Sequence, residues 1–286
     1  MSKAPVGVDP DELNVAARNV LLDALTALKD HRDALTVVGA QAVYLRTQEA
    51  EIRSAAYTSD GDISIDPAQL GDQPLLEQAM RDAGFSLRAN QSGLWERPEQ
   101  IGDLTVPVEV DLLVPHQLAP LPNKKRRTEL PPHNEWATKK VPGLEVAAVD
   151  RSVMTLRSLT PDDNREVDAY VAGPAALLIA KAFKLDERVT EAEAKERTDR
   201  LSNKDAGDVF RIMAVVPVEK VAATFRALQS DTRVGEVAAD GLLRLHKLFG
   251  GAATPGTELA VRALAGDVPE RRIRALAPFY ASALTS

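Results

Sequence analysis

The stretch Thr105-Val106-Pro107-Val108-Glu109-Val110-Asp111-Leu112-Leu113-Val114 limits the possible folds more than any other part of this chain. It alternates with a period of two. Val108, Val110 and Leu112 share one face, and Glu109 and Asp111 share the other. That is the pattern of a strand, whose successive side chains point to opposite sides of a sheet. An acidic pair on a strand this apolar is unusual, and Asp111 is the carboxylate it offers to other acids nearby.

A second acidic strand precedes it. Tyr57 to Asp66 reads Tyr-Thr-Ser-Asp-Gly-Asp-Ile-Ser-Ile-Asp, closed by Pro67. Asp60 and Asp62 fall on one face, about 6.6–6.8 Å apart along an extended strand. Two carboxylates so placed repel each other unless a cation lies between them, and hard oxygen ligands beside phosphate suit magnesium. The same residues also read as a polar turn, Asp60-Gly61, leading into an edge strand. Asp66 falls at the strand end. Further upstream, Ala34-Leu35-Thr36-Val37-Val38 is a short β-branched run that ends at Gly39, and Ala40 to Arg46 resumes helical spacing. A strand that turns at glycine into a helix presents free backbone N–H groups and a positive dipole end. It is a phosphate site or a plain strand–helix turn.

The remaining signals divide at Gly173-Pro174. Before it, Asp9-Pro10 caps a helix over 11–30. A short helix spans 74–83, a hairpin joins 85–88 to 94–97, and further strands are expected at 146–149 and 166–172. Residues 115–143, rich in proline and charge, read as a long surface loop. After Pro174 helical spacing runs over 175–185, 204–216, 219–229, 234–249, 258–265 and from Pro269 onward, with the charged 189–201 read as an exposed connector or frayed helix. The chain thus reads as α+β, with two lobes over 1–172 and 173–286, each with its own core. Lys181 sits among small apolar residues of its helix, where it either meets a ligand or snorkels to solvent. Asp205 and Asp208, one turn apart, also have a dipole explanation.

Composition excludes several classes. The 286 residues carry 35 Lys and Arg against 42 Asp and Glu, a net charge of -7, which argues against a general nucleic-acid coat. Residues 124–140 reverse the sign locally, with Lys124, Lys125, Arg126, Arg127, Lys139 and Lys140 against Glu129 and Glu135. That run is either solvated surface or a grip for a polyanion. Cysteine is absent, so thiolate chemistry and cysteine-based zinc sites are out. The four histidines are scattered without ligand spacing and are expected on the surface, and no Gly-x-Ser-x-Gly motif occurs. Trp95 and Trp136 read as packing residues, with Trp136 inside the basic run. Neither a signal peptide nor a membrane-spanning run is visible, so a cytoplasmic location with no membrane partner is expected.

Three pieces in order, namely Val38-Gly39-Ala40-Gln41-Ala42, Thr58-x-Asp60-x-Asp62 and the later Asp111 strand, resemble the nucleotidyltransferase superfamily that includes DNA polymerase beta. Lys181, Lys204-Asp205 and Asp208 resemble the narrower AbiEii-like toxins, whose mycobacterial relatives are called MenT. The resemblance spans most of residues 30–215. It departs at Gly39-Ala40, where many members have Gly-Gly or Gly-Ser, in the long gap from Gly39 to Asp60, and at Gly207 inside a helix.

The resemblance implies a nucleotidyltransferase-type mixed sheet flanked by helices, then a helical bundle. It implies an enzyme that moves a nucleoside monophosphate from an NTP to a hydroxyl and releases pyrophosphate. Asp60, Asp62 and Asp111 would bind two magnesium ions, and Lys181 and Asp205 would join them as catalytic residues. Gly39, Ala40, Gln41, Thr58, Lys181 and Lys184 would bind the nucleotide. The implied acceptor is the 3′ end of tRNA, gripped by Lys124, Lys125, Arg126 and Arg127, in a toxin partnered by an antitoxin. Two other outcomes stay open: transfer to a small molecule or protein hydroxyl, and a nucleotide-binding scaffold that has lost catalysis.

Overall fold

The computed structural model describes residues 7–49, 52, 58–120, 127–195 and 203–284. In chain order the elements are α1 (Pro10–Ala27), β1 (Leu35–Val38), α2 (Gly39–Arg46), β2 (Asp60–Ile65), α3 (Leu76–Asp82), β3 (Ser86–Leu87), β4 (Leu94–Ile101) and β5 (Leu104–Pro115). Then come β6 (Lys139–Val141), β7 (Arg151–Arg157), β8 (Glu166–Ala172), α4 (Pro174–Lys195), α5 (Asn203–Val215), α6 (Val218–Gln229), α7 (Gly235–Phe249), α8 (Pro255–Ala263) and α9 (Glu270–Leu284).

The alternating stretch forms β5, the longest strand, and its apolar face is buried at Val106, Val108, Val110 and Leu112. It lies inside an eight-stranded mixed sheet of order β3-β4-β5-β2-β1-β8-β7, with β6 added beside β5. β5 runs antiparallel to β4 and parallel to β2 and β6. β2 in turn is antiparallel to β1. Helix α1 lies across β2 and β5, where a Cβ on Gly61 would meet the Leu21 side chain at 3.2 Å. Gly61 therefore faces α1, and the alternation of β2 sends Asp60 and Asp62 to the opposite side.

Local chemistry sets the ends of these elements. Asp9 accepts from the Asp11 amide at 2.7 Å, with Pro10 in the first turn of α1, as the capping pattern requires. Asp150 receives the Ala176 amide at 2.9 Å and so caps α4. The strands end at Ala172 and α4 begins at Pro174, so the change of periodicity marks where sheet gives way to helices. Buried apolar residues on both sides, such as Ile63, Val110, Leu178 and Phe210, belong to one cluster. Asp66, the strand-end residue, is buried and pairs with Arg233 at 2.7 Å, tying the sheet to the helices.

Three expectations are corrected. Residues 146–149 are not a strand: Glu145–Ala148 is a 3-10 turn, because Glu145 takes the amides of Gly143 and Gln117 at 2.8 Å each and Asp150 donates back to Val146. Those local bonds outweigh the β preference of two valines. Residues 115–143 are not all surface loop, since β6 pairs with β5 and Leu130, His133 and Ala137 are buried. Nor are the histidines all on the surface. His116 and His246 are exposed, but His31 and His133 are buried edge to face, 5.7 Å apart. His31 Nε2 lies 2.7 Å from the Pro74 carbonyl, and His133 bonds both the Gly71 carbonyl and the Leu76 amide, while His31 Nδ1 is buried without a partner among the described residues. Among the described residues no helix is long and apolar enough to cross a membrane.

Candidate active site

Register brings the acids together. Asp62 pairs with Asp111 and Asp60 with Glu109 across the parallel β2–β5 ladder. All four carboxylates line one cavity of about 420 Å³ between this sheet face and helices α4 and α5. Their surroundings differ. Glu109 is paired with Arg88 at 2.6 Å, and Asp111 Oδ2 with Lys139 Nζ at 2.7 Å. Asp60 accepts the Thr58 hydroxyl at 2.6 Å, and no described basic side chain pairs with Asp60 or Asp62. The buried Oδ1 of Asp111 has no hydrogen-bond partner among the described residues. Burial, and then the Asp60 and Asp111 charges, push the Asp62 carboxyl up to about 7. Asp111 is raised as well, mainly by burial, with Lys139 pulling the other way.

Gly39 adjoins this cluster for a steric reason. Its φ is +68°, in the region glycine tolerates, and a Cβ there would lie 1.9 Å from Asp62 Oδ2. The turn from β1 into α2 therefore makes room for the Asp62 carboxylate. Val38 gives α2 no side-chain cap, so the first N–H groups of that helix stay available for an anion. Gly39 and Ala40 line the cavity. Gln41 does not: its side chain is buried, and its Oε1 accepts from Arg18 Nε at 2.9 Å.

The opposite wall is an ion network. Lys181 Nζ lies 2.6 Å from both Asp205 Oδ1 and Asp208 Oδ2. Lys184 and Arg188 add contacts to Asp205 at 3.1 and 3.0 Å. Lys181 and Asp205 are nearly inaccessible, and Asp208 is fully buried. Although burial opposes it, the two carboxylates hold the Lys181 ammonium above its ordinary range. Despite its own burial, Asp205 is held well below the carboxylate range by the three cations around it. Asp208 is raised by burial, and its Oδ1 is unpartnered among the described residues. Lys184, by contrast, is half-exposed on the cavity wall and presents charge to whatever enters.

The structure thus brings together Gly39, Ala40, Thr58, Asp60, Asp62, Asp111, Lys181, Lys184 and Asp205. Of the basic run, Lys124, Lys125 and Arg126 lie outside the described residues. Arg127 is paired with Glu135 at 3.0 Å and stacks over Trp136. Trp95 is a packing residue, fully buried with its indole N–H on the Ala137 carbonyl. Sequence reasoning missed Glu109, Lys139, Lys140, Arg188 and Lys204 as lining residues. The alternation of β5 already placed Glu109 beside Asp111. Lys139 had no such signal, because nothing in the sequence pairs its short strand with β5.

Among the described residues no three acidic or imidazole groups stand close enough to hold a metal ion as their side chains lie. Thr58 occupies one oxygen of Asp60 and Lys139 one oxygen of Asp111. The donor set still fits a hard divalent cation: facing carboxylates on adjacent strands, a free Asp111 oxygen, and an Asp62 whose raised titration a cation would reverse.

No family model matches the chain, and no curated protein matches it. Among solved structures it is similar to an antigenic nucleotidyltransferase-like protein from Paracoccidioides brasiliensis, with 15% identity and a TM-score of 0.41. The match covers 81% of this chain and 94% of that one. A likeness this loose carries no argument, and the functional reading rests on the residues of the cavity.

Proposed function

We propose that the protein is a magnesium-dependent nucleotidyltransferase that moves an NMP from an NTP to an acceptor hydroxyl. One observation carries this: Asp60, Asp62 and Asp111 meet on adjacent parallel strands, in a cavity bounded by the Gly39 turn and a lysine-rich helical wall. Asp60 and Asp62, with Asp111 beside them, are the residues to hold magnesium, which when bound neutralises phosphate charge and polarises the reacting phosphoryl group. The acceptor oxygen attacks the α-phosphorus, the bond to the bridging oxygen of the leaving group breaks, and pyrophosphate departs. Asp111 Oδ1, without a partner among the described residues, takes the acceptor proton. Backbone N–H groups at Gly39 and Ala40 receive phosphate oxygens at the start of α2, and Gln41 contributes at most its main chain. Thr58 orients Asp60 through its hydroxyl.

The helical wall has a divided task. Lys181 is already matched by Asp205 and Asp208, so its first effect is to set the position of α4 against α5. Lys184 is the cation with charge to spare for the triphosphate. The 3′ end of tRNA as acceptor, and a toxin role with an antitoxin partner, rest on the resemblance to the AbiEii-like toxins and on the basic run. The test is incubation with each α-labelled NTP, magnesium and total tRNA, beside Asp60→Ala. A labelled tRNA band that is lost by more than about 100-fold in Asp60→Ala supports the full reading. Label on another acceptor keeps the enzyme and removes the tRNA. Turnover undiminished in Asp60→Ala sinks the assignment.

A further inference from the structure

The four carboxylates on the β2–β5 face fall into two unlike pairs. Both acids on β5 hold a protein cation, Glu109 with Arg88 and Asp111 with Lys139. Both acids on β2 hold none among the described residues, and a hydroxyl is all that Asp60 receives. The two ion pairs therefore leave Asp60 and Asp62 as the carboxylates of this face without an ion pair among the described residues.

Backbone, rather than a free side chain, sets where Lys139 stands. Its strand β6 runs parallel to β5 with Lys139 opposite Leu113. Beside it, against β5, is Gly93, with φ +72°, whose carbonyl accepts the Leu112 amide and whose amide donates to the Trp136 carbonyl, both at 2.8 Å. A Cβ at residue 93 would lie 2.6 Å from the Lys139 amide nitrogen and 3.0 Å from its Cγ. The glycine lets this strand and the lysine stem close onto the site. From there the ammonium reaches Asp111 Oδ2 at 2.7 Å.

We propose that Lys139 is a built-in cation that fills the Asp111 side of the centre, so that the nucleotide-free site takes one divalent ion, at Asp60 and Asp62, instead of two. This rests on the reading of the cavity as a nucleotidyl-transfer site and replaces the symmetric two-ion arrangement with an ion-plus-lysine pair. An ammonium within hydrogen-bond distance of Asp111 Oδ2 repels a divalent ion from the same carboxylate. It also leaves Oδ1 of Asp111 free to meet the acceptor hydroxyl. The pairing of β6 with β5 sets that division before any substrate arrives.

The experiment is Mn2+ titration of the nucleotide-free full chain, with free ion counted from its electron paramagnetic resonance signal. Expected are one bound ion per chain in the wild type and in Lys139→Arg, and a second, of comparable affinity, in Lys139→Met. Asp60→Ala should lose the wild-type ion, whereas Asp111→Asn should keep it. Circular dichroism melts on the same samples report folding, and Lys139→Gln replaces the methionine variant if that variant does not fold. Two ions in the wild type, or one ion in both neutral variants of Lys139, overturn the proposal and leave the nucleotidyltransferase reading standing. No bound ion in the wild type or any Lys139 variant overturns both.

Discussion

Two aspartate clusters face each other across the cavity and use the same side chain in opposite ways. On the α4–α5 side, Asp205 and Asp208 are both ion-paired with Lys181, and Lys184 and Arg188 add contacts to Asp205. On the β2–β5 side, Asp60 and Asp62 lack any basic partner among the described residues, and burial with mutual repulsion raises Asp62. A matched buried network fixes how two helices meet, and its charges are spent. An unmatched one costs stability and keeps its charges for a ligand. On the proposed function the first cluster positions helices and the second does chemistry, although both were acidic pairs at short spacing in the sequence.

The largest effect that would break this contrast is at Lys181. Lys181→Met leaves Asp205 and Asp208 facing each other without their shared cation, and should cost about 3–5 kcal/mol in urea unfolding. A cost below about 1 kcal/mol would mean that the helical network is not what holds α4 to α5. Next is Gly39→Ala, whose methyl group would displace the Asp62 carboxylate and strain a left-handed turn. Stability should fall by about 2 kcal/mol, with transferase activity falling further than that loss of folded protein explains.

Asp62→Asn should act with the opposite sign on stability. The unfolded carboxyl titrates near its ordinary 3.8, and the folded one is pushed up to about 7. Between those values the native protein keeps a proton that the unfolded chain has released, so stability falls as pH rises through the window. In EDTA at about pH 8, Asp62→Asn should therefore melt above the wild type by on the order of 2 kcal/mol, the gap closing near pH 4. Neighbouring Asp60 and Asp111 share this titration, so the midpoint reports the cluster. A pH-independent gap would show that neither burial nor repulsion among the carboxylates raises Asp62. The smallest effect is at the half-exposed Lys184, where Lys184→Ala should raise the KM for NTP about 3- to 10-fold with little change in melting temperature. Equal effects of Lys184→Ala and Lys181→Met on KM would erase the division of labour between them.

What the sequence determined by itself was whatever depends on short-range periodicity. The alternation of β5 gave a strand with acids on one face, and glycine after a β-branched run gave the turn into α2. Proline and aspartate marked the start of α1, and the boundary near residue 173 followed from a change of period. These are local properties of the backbone, legible without knowing what lies nearby. Tertiary structure alone decided the rest. The pairing of β2 with β5 set Asp62 against Asp111, and the addition of β6 brought Lys139 to that carboxylate from the opposite end of a 28-residue separation. Helix packing spent the charge of Lys181 on two aspartates and left Lys184 for the cavity. A side chain's charge is written in the sequence, but whether that charge is matched depends on groups that only folding brings within a few ångströms.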